Sequence, residues 1–126
     1  MAGEFTEEFV DVGGTKIHMM SGGSGEPLVL LHGAGGNAGW LRYVQALSER
    51  YTVYIPSHPG YGQSERPEWL ETMADMTSFY TWFLEQRGLE GSRAIGFSMG
   101  GWLAAEIAVN CCHAFSKLML VDAVGI

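Results

Sequence analysis

The sequence predicts an α/β protein whose sheet is mostly parallel and carries helices on both faces, and three observations support this fold class. Short apolar segments alternate with segments of helical periodicity along most of the chain. The run at 28–31, Leu-Val-Leu-Leu, is apolar at every position, which is typical of a strand covered on both sides by helices. Two alternating segments joined by Gly13 and Gly14 precede it and indicate an opening antiparallel hairpin.

The individual elements follow from these local patterns. We expect strands at 9–12, 16–20, 28–31, 51–55, 93–97 and 118–121, with a Gly/Ser loop at 21–26. Helices are expected at 40–50, 68–87 and 99–110, where apolar residues recur at helical spacing. Pro67 fits the start of the second helix, and Gly88 fits the position just after its end. We find no repeat, linker or low-complexity segment.

Composition limits the classes of partner. The chain has 126 residues, 47% of them hydrophobic, and a formal net charge of -7. Its seven basic residues are scattered, which argues against binding to nucleic acid or to an anionic membrane. No apolar run is long enough to span a bilayer, and the acidic N-terminus does not resemble a signal peptide. Cys111 and Cys112 cannot form a disulfide framework, so we expect two buried thiols and a cytoplasmic protein.

The segment 96–100, Gly-Phe-Ser-Met-Gly, carries the strongest chemical signal. It lies between a predicted strand and a predicted helix, which is the setting that a G-x-S-x-G nucleophile requires. Gly96 and Gly100 lack side chains, so the backbone can turn sharply and expose the hydroxyl of Ser98 at the tip. We therefore predict that Ser98 is a catalytic nucleophile.

A second glycine-rich segment, His-Gly-Ala-Gly-Gly at 32–36, follows the apolar strand directly. A serine hydrolase needs two backbone N–H groups to stabilise the oxyanion of its tetrahedral intermediate. We predict that Met99 supplies one of them and that Ala34 supplies the other, with Gly35 as the alternative. The chemistry requires no metal ion and no organic cofactor.

The histidine that opens this loop has two interpretations. His32 stands at the end of the strand that leads into the glycine loop, and a histidine at this position is a candidate for the general base. We favour the interpretation in which His32, with Gly33 and Gly35, braces the loop through hydrogen bonds.

The same glycines also match a dinucleotide-binding fingerprint, G-x-G-x-x-A at 33–38. Such a site needs an acidic side chain at the end of the next strand, about twenty residues further on. That strand leads instead into Pro56, Ser57 and His58. A nucleotide-binding protein is therefore the weaker hypothesis.

Taken together, these segments resemble the α/β-hydrolase family from about Glu8 to the C-terminus. The resemblance includes the glycine loop, the turn Pro-Gly-Tyr-Gly-Gln-Ser at 59–64, the Ser98 segment, and Leu-Met-Leu-Val-Asp at 118–122. Ser57 departs from it, since relatives often carry Asp there, and we expect this to affect loop bracing rather than chemistry.

The resemblance implies a catalytic order of nucleophile, acid and histidine. The sequence ends after what resembles the sixth of eight strands, so the cap, the last strands and the catalytic histidine have no counterpart here. We therefore expect residues 1–126 to be the N-terminal portion of a single domain, inactive alone. Asp122 is a candidate for the acid.

The implied function is hydrolysis of an ester, or of a related acyl or C–C bond, in a small-molecule substrate. The alternative is a non-catalytic relative that binds a ligand in the same pocket. The sequence predicts neither the substrate nor the oligomeric state.

Overall fold

The structure is a computed structural model that describes residues 5–124, so residues 1–4 and 125–126 of the predicted domain lie outside the described residues. The strands are β1 (Phe5–Val12), β2 (Thr15–Gly23), β3 (Glu26–Leu31), β4 (Tyr51–Pro56), β5 (Ser92–Phe97) and β6 (Phe115–Val121). The helices are α1 (Arg42–Leu47), α2 (Met73–Gln86) and α3 (Met99–Asn110). The predicted α/β class is confirmed.

The strands form one sheet in the order β1-β2-β4-β3-β5-β6. Strands β4, β3, β5 and β6 run parallel to one another, and β2 is antiparallel to both of its neighbours. The loops that follow β3, β4, β5 and β6 therefore meet at one edge of the sheet, where open parallel sheets bind ligands.

Several element boundaries differ from the sequence prediction, among them the start of β1, which lies at Phe5 rather than at residue 9. Strand β2 continues to Gly23 because residues predicted as loop pair with β1 on one side and with β4 on the other. Helix α1 is shorter than 40–50, and its N-cap residue makes no side-chain hydrogen bond to the helix. Strand β6 begins at Phe115, which pairs with Ser92 before a register shift that leaves Ser116 as an extra residue in β6.

The start of α2 is a correction, because Pro67 does not begin the helix. Pro67 begins a turn instead, closed by a 3.1 Å hydrogen bond from the Leu70 N–H to the Pro67 carbonyl. The helix begins after Thr72, whose hydroxyl accepts from the Asp75 N–H at 3.1 Å while the Asp75 carboxylate accepts from the Thr72 N–H at 3.1 Å. This reciprocal capping box satisfies two N–H groups and fixes the first turn.

The helices cover the two faces of the sheet unequally. Helices α2 and α3 pack on one face over a large buried cluster that includes Val29, Leu31 and Phe79. Helix α1 covers a smaller cluster on the other face, which includes Leu28 and Leu30. Strand β3 is thus buried on both faces, which explains its continuous apolar run.

The face beside α1 is open over β5 and β6. A groove of about 400 Å³ lies there, and Met119 on its β6 side is 59% exposed.

The cysteines at the end of α3 differ from expectation, because Cys111 is half-buried and Cys112 is exposed. No helix within residues 5–124 has the length and apolar character needed to cross a membrane.

Candidate active site

Ser98 is the single residue between the end of β5 and the start of α3. Its backbone has φ 54° and ψ -116°, a left-handed conformation that is strained for a residue with a side chain. The Ser98 N–H donates to the Val121 carbonyl at 2.8 Å, and the Ser98 carbonyl accepts from the Gly101 N–H at 2.9 Å. Among residues 5–124, no group forms a hydrogen bond with the half-buried Ser98 hydroxyl. The turn therefore presents that hydroxyl at the carboxyl edge of the sheet.

Glycines allow this turn to pack closely against its neighbours. A Cβ atom at Gly96 would lie 2.7 Å from the Gly101 Cα, and one at Gly101 would lie 2.6 Å from the Ala123 Cβ. A Cβ atom at Gly100 would meet the Leu31 carbonyl and would lie 2.5 Å from the His32 carbonyl oxygen. Backbone atoms and the short Ala123 side chain leave no room for a side chain at these three positions. Because Gly100 has none, the first turn of α3 lies directly on the end of β3.

The glycine loop after β3 forms a tight turn beside Ser98. The Gly36 N–H donates to the Gly33 carbonyl at 3.1 Å, which leaves Ala34 and Gly35 at the exposed tip. A Cβ atom at Gly33 would lie 3.3 Å from the Ser98 Cβ. Within the described part of the chain, the N–H groups of Ala34, Gly35 and Met99 donate no hydrogen bond. The structure thus brings the predicted nucleophile and the predicted donor loop together.

Two buried histidines stack beneath this loop, with the ring centroids of His32 and His58 3.7 Å apart. The His58 N–H donates to His32 Nε2 at 2.9 Å, so that nitrogen carries no proton, and His32 Nδ1 donates to the Gly33 carbonyl at 2.7 Å. His58 Nε2 donates to the His32 carbonyl at 2.7 Å, and its Nδ1 lies 2.6 Å from the Tyr80 hydroxyl. A carbonyl only accepts, so each ring has a defined tautomer.

Burial keeps both rings neutral. Desolvation is the main cause that lowers the pKa of His58 to about 3, and the neighbouring His32 lowers it further. Desolvation also lowers the pKa of His32, against the opposing hydrogen bond to Gly33. Burial raises the pKa of Tyr80 well above its usual value, so its hydroxyl is protonated and donates to His58 Nδ1. The lone pairs of both imidazoles are therefore already occupied.

The candidate acid Asp122 and the two other histidines, His18 and His113, lie outside this buried histidine pair. Asp122 is exposed at the end of β6, with φ 48°, between two residues that hydrogen-bond to the Ser98 backbone, Val121 and Val124. His18 Nε2 lies 3.0 Å from a Glu7 carboxylate oxygen, and His113 is exposed after the end of α3. No histidine within residues 5–124 forms a hydrogen bond with Ser98 Oγ.

Two cavities open beside the glycine loop. One of about 170 Å³ is lined by residues that include Gly33, Tyr43 and Phe97. The other, about 400 Å³, is more polar and includes Glu7 and Gln63. Between residues 5 and 124 no three His, Cys, Asp or Glu side chains are grouped so that they could hold one metal ion.

The dinucleotide alternative fits this geometry poorly. A dinucleotide loop places the pyrophosphate at the N-terminus of the helix that follows it directly. Here the glycine loop closes its own turn at Gly36, and α1 begins only at Arg42. The loop is instead placed to face the Ser98 turn.

Sequence reasoning missed the contributions of His58, Tyr61 and Tyr80. Tyr61 packs edge-on against both histidine rings, and its hydroxyl donates to Met99 Sδ at 3.7 Å. Tyr80 lies on the buried face of α2 together with apolar residues such as Phe79 and Phe83. One available signal was that a tyrosine on a buried helix face needs a partner for its hydroxyl. A second was the position of His58 directly after a parallel strand.

The chain is similar in sequence to several known proteins. The chain is 35% identical over 120 residues to a dihydrolipoyllysine-residue acetyltransferase component of an acetoin cleaving system from Cupriavidus necator, covering 94% of this chain and 32% of that protein. It is 37% identical over 110 residues to a pimeloyl-(acyl-carrier protein) methyl ester esterase from Vibrio campbellii, covering 85% of this chain and 41% of that protein.

A solved structure gives the same result. A 2-hydroxy-6-oxo-6-phenylhexa-2,4-dienoate hydrolase from Rhodococcus sp. matches with a TM-score of 0.86 and 28% identity, covering 97% of this chain and 47% of that one. The chain thus spans less than half the length of each of these proteins. A family model described as alpha/beta hydrolase fold matches residues 26–125. Because that match covers most of the chain, the chain belongs to the α/β-hydrolase family.

Proposed function

We propose that Ser98 is the nucleophile of a serine hydrolase that cleaves an ester, or a related acyl or C–C bond, in a small-molecule substrate. The observation that carries the proposal is the approach of the glycine loop to the Ser98 turn, where the Gly33 Cβ position lies 3.3 Å from the Ser98 Cβ. The similarity to a methyl ester esterase supports the choice of an ester as the first substrate class to test.

The backbone around Ser98 suits an oxyanion. Attack by Ser98 Oγ on a carbonyl carbon transfers negative charge to the carbonyl oxygen, which two N–H donors would stabilise. Met99 N–H is the first amide of α3, and Ala34 N–H lies at the exposed tip of the glycine loop. Each donor of this kind contributes about 3 kcal/mol to transition-state stabilisation.

The proton acceptor is the open part of the proposal, because no histidine within residues 5–124 forms a hydrogen bond with Ser98 Oγ. His32 Nε2 already accepts from the His58 N–H, and His58 Nδ1 already accepts from Tyr80. We infer that a histidine outside residues 1–126 serves as the base and that the chain is the N-terminal portion of a longer, cytoplasmic hydrolase domain. Asp122 remains a candidate for the acid, since it follows β6 at the same edge of the sheet. Without the base, residues 1–126 alone would be inactive.

The test is reaction of the full-length protein with a fluorophosphonate probe and with p-nitrophenyl esters. We expect labelling at Ser98, and loss of at least about 10⁴-fold in kcat for Ser98→Ala with no change in circular dichroism. Ser116→Ala, which changes an exposed serine in β6, is the matched control and should retain wild-type turnover. Equal turnover by wild type and Ser98→Ala would refute the proposal.

The second candidate is a non-catalytic relative that binds a ligand at the same edge of the sheet. It is favoured by the occupied lone pairs of both buried histidines next to Ser98. The same full-length protein decides between the two functions. A ligand-binding protein would bind esters without hydrolysing them and would not be labelled by the fluorophosphonate.

A further inference from the structure

We propose that Tyr80, on α2, is a positioning residue that sets the direction of the Ala34 N–H through a chain of hydrogen bonds running across His58 and His32. The inference deepens the proposed function, because it concerns the loop that would bind the oxyanion. It assigns a role to a hydroxyl that touches neither Ser98 nor any predicted donor.

The first link joins α2 to the loop after β4. The Tyr80 hydroxyl lies 2.6 Å from His58 Nδ1, and both residues are almost wholly buried. His58 Nε2 must carry its proton, because its partner is the His32 carbonyl oxygen at 2.7 Å, which can only accept. The neutral ring then has a lone pair on Nδ1, and the Tyr80 hydroxyl donates to it. Tyr80 thereby stabilises one tautomer of His58.

The second link joins the loop after β4 to the loop after β3. His58 forms two hydrogen bonds with His32. Its backbone N–H donates to His32 Nε2 at 2.9 Å, and its ring donates to the His32 carbonyl. The proton of His32 is therefore on Nδ1, from which it is donated to the Gly33 carbonyl at 2.7 Å. The His58 backbone thus fixes the tautomer of His32, and the His58 ring holds the His32 carbonyl in place.

The third link is the peptide between Gly33 and Ala34. None of the described peptide bonds is cis. The Gly33 C=O and the Ala34 N–H therefore lie in one peptide plane and point in opposite directions. The Gly33 carbonyl accepts from His32 Nδ1 and from the Gly36 N–H at 3.1 Å. Two donors on that oxygen restrict rotation of the peptide, which aims the Ala34 N–H away from the histidine rings.

Removing the Tyr80 hydroxyl would break the first hydrogen bond of this series, the one most distant from Ala34. In Tyr80→Phe the ring still fills its buried site, but His58 Nδ1 loses its donor. The His32 carbonyl still requires the His58 proton on Nε2, so the buried lone pair on Nδ1 is left without a donor. The ring is then held at Nε2 alone and can shift, so His32 and the Gly33–Ala34 peptide would lose their single orientation.

The experiment uses the full-length protein labelled with ¹⁵N and compares Tyr80→Phe with Tyr51→Phe. Tyr51 is the matched control, because it begins β4 on the α1 side of the sheet and packs against Arg93. Long-range ¹H–¹⁵N spectra report the proton on each imidazole nitrogen, and the Ala34 amide resonance reports the peptide. We expect a displaced His58 Nδ1 resonance, from loss of its hydrogen-bond donor, and a displaced Ala34 resonance in Tyr80→Phe only, with kcat for an ester lowered about 10-fold and KM nearly unchanged.

An unchanged Ala34 resonance in Tyr80→Phe would overturn the inference, even if stability or turnover fell. A displaced Ala34 resonance with unchanged kcat would also overturn it as a statement about catalysis. Failure of the proposed function is seen separately, as an absence of Ser98 labelling in the wild-type protein. In that event the His58 Nδ1 and Ala34 amide resonances still decide whether Tyr80 orients the loop.

Discussion

The turn around Ser98 and the glycine loop at 33–36 follow adjacent parallel strands and lie against each other, yet different forces hold them. The Ser98 turn is held by close packing, because Cβ atoms at Gly96, Gly100 or Gly101 would collide with backbone or with Ala123. The glycine loop has room around it beyond Gly33, since Cβ atoms at Gly35 and Gly36 would meet nothing within 4 Å. Hydrogen bonds from His32 and Gly36 to the Gly33 carbonyl hold it instead.

This difference predicts how each loop responds to change. Packing against backbone is insensitive to pH and intolerant of a single added carbon. A chain of hydrogen bonds through neutral imidazoles tolerates added volume at the loop tip but depends on protonation. In the site that we propose, a fixed Ser98 hydroxyl would therefore lie beside an adjustable Ala34 N–H.

The largest expected effect is from Gly100→Ala, which tests the packed loop. The new methyl group would meet the Leu31 and His32 carbonyl oxygens, neither of which is the end of a flexible side chain. We expect the free energy of unfolding to fall by about 3 kcal/mol or more, measured by urea denaturation of the full-length protein.

Gly35→Ala is the matched control in the other loop. Its added methyl group meets open space, so we expect a change in stability within about 0.5 kcal/mol. Similar stabilities for Gly100→Ala and Gly35→Ala would show that the two loops are not held differently.

The next effect concerns the donor in the adjustable loop. Ala34→Pro removes the N–H that we assign to the oxyanion, and we expect kcat for an ester to fall about 100-fold, equivalent to about 3 kcal/mol. Ala34→Gly keeps the N–H and should retain most of the activity, as should Met99→Gln, which changes only a side chain. Circular dichroism checks that Ala34→Pro is folded. A folded Ala34→Pro variant with wild-type kcat would show that Ala34 is not a donor.

The packed loop was more predictable from the sequence than the hydrogen-bonded one. Gly96, Ser98 and Gly100 lie within five residues, so their spacing alone indicates a sharp turn between a strand and a helix. The helix after Ser98 was predicted with the bounds that the structure has, Met99–Asn110. Local signals of this kind do not depend on how the strands are ordered in the sheet.

The hydrogen-bonded loop depends on partners that are distant in sequence. His58 lies 26 residues from His32, and Tyr80 lies a further 22 residues along the chain. Their meeting requires β4 to lie beside β3 and α2 to pack across that edge, and periodicity does not encode either arrangement. The start of α2 was misplaced for a more local reason. Pro67 suits a turn as well as a helix start, and the Thr72–Asp75 capping box decides between them.

The smallest expected effect is a dependence of stability on pH that arises from the hydrogen-bonded loop. The pKa of His58 is about 3 in the folded protein and about 6.5 in an unfolded chain. Between these values the unfolded state binds a proton that the folded state excludes, so acidification favours unfolding. The free energy of unfolding should therefore be constant above about pH 7 and fall by about 1.4 kcal/mol for each pH unit below about 6.5. The lowered pKa of His32 acts in the same direction.

Urea denaturation of the full-length protein between about pH 7.5 and pH 5 measures this slope above the range in which carboxylates titrate. His58→Gln should be less stable at neutral pH but should lose less stability on acidification, whereas His113→Gln changes an exposed histidine and serves as the control. Amide hydrogen exchange locates the effect, because protonation of His58 would break its acceptor bond with Tyr80 and weaken the glycine loop first. Equal acceleration of exchange at Ala34 and at Gly101, whose N–H is bonded within the packed turn, would mean that both loops open together and that their different packing does not make them independent.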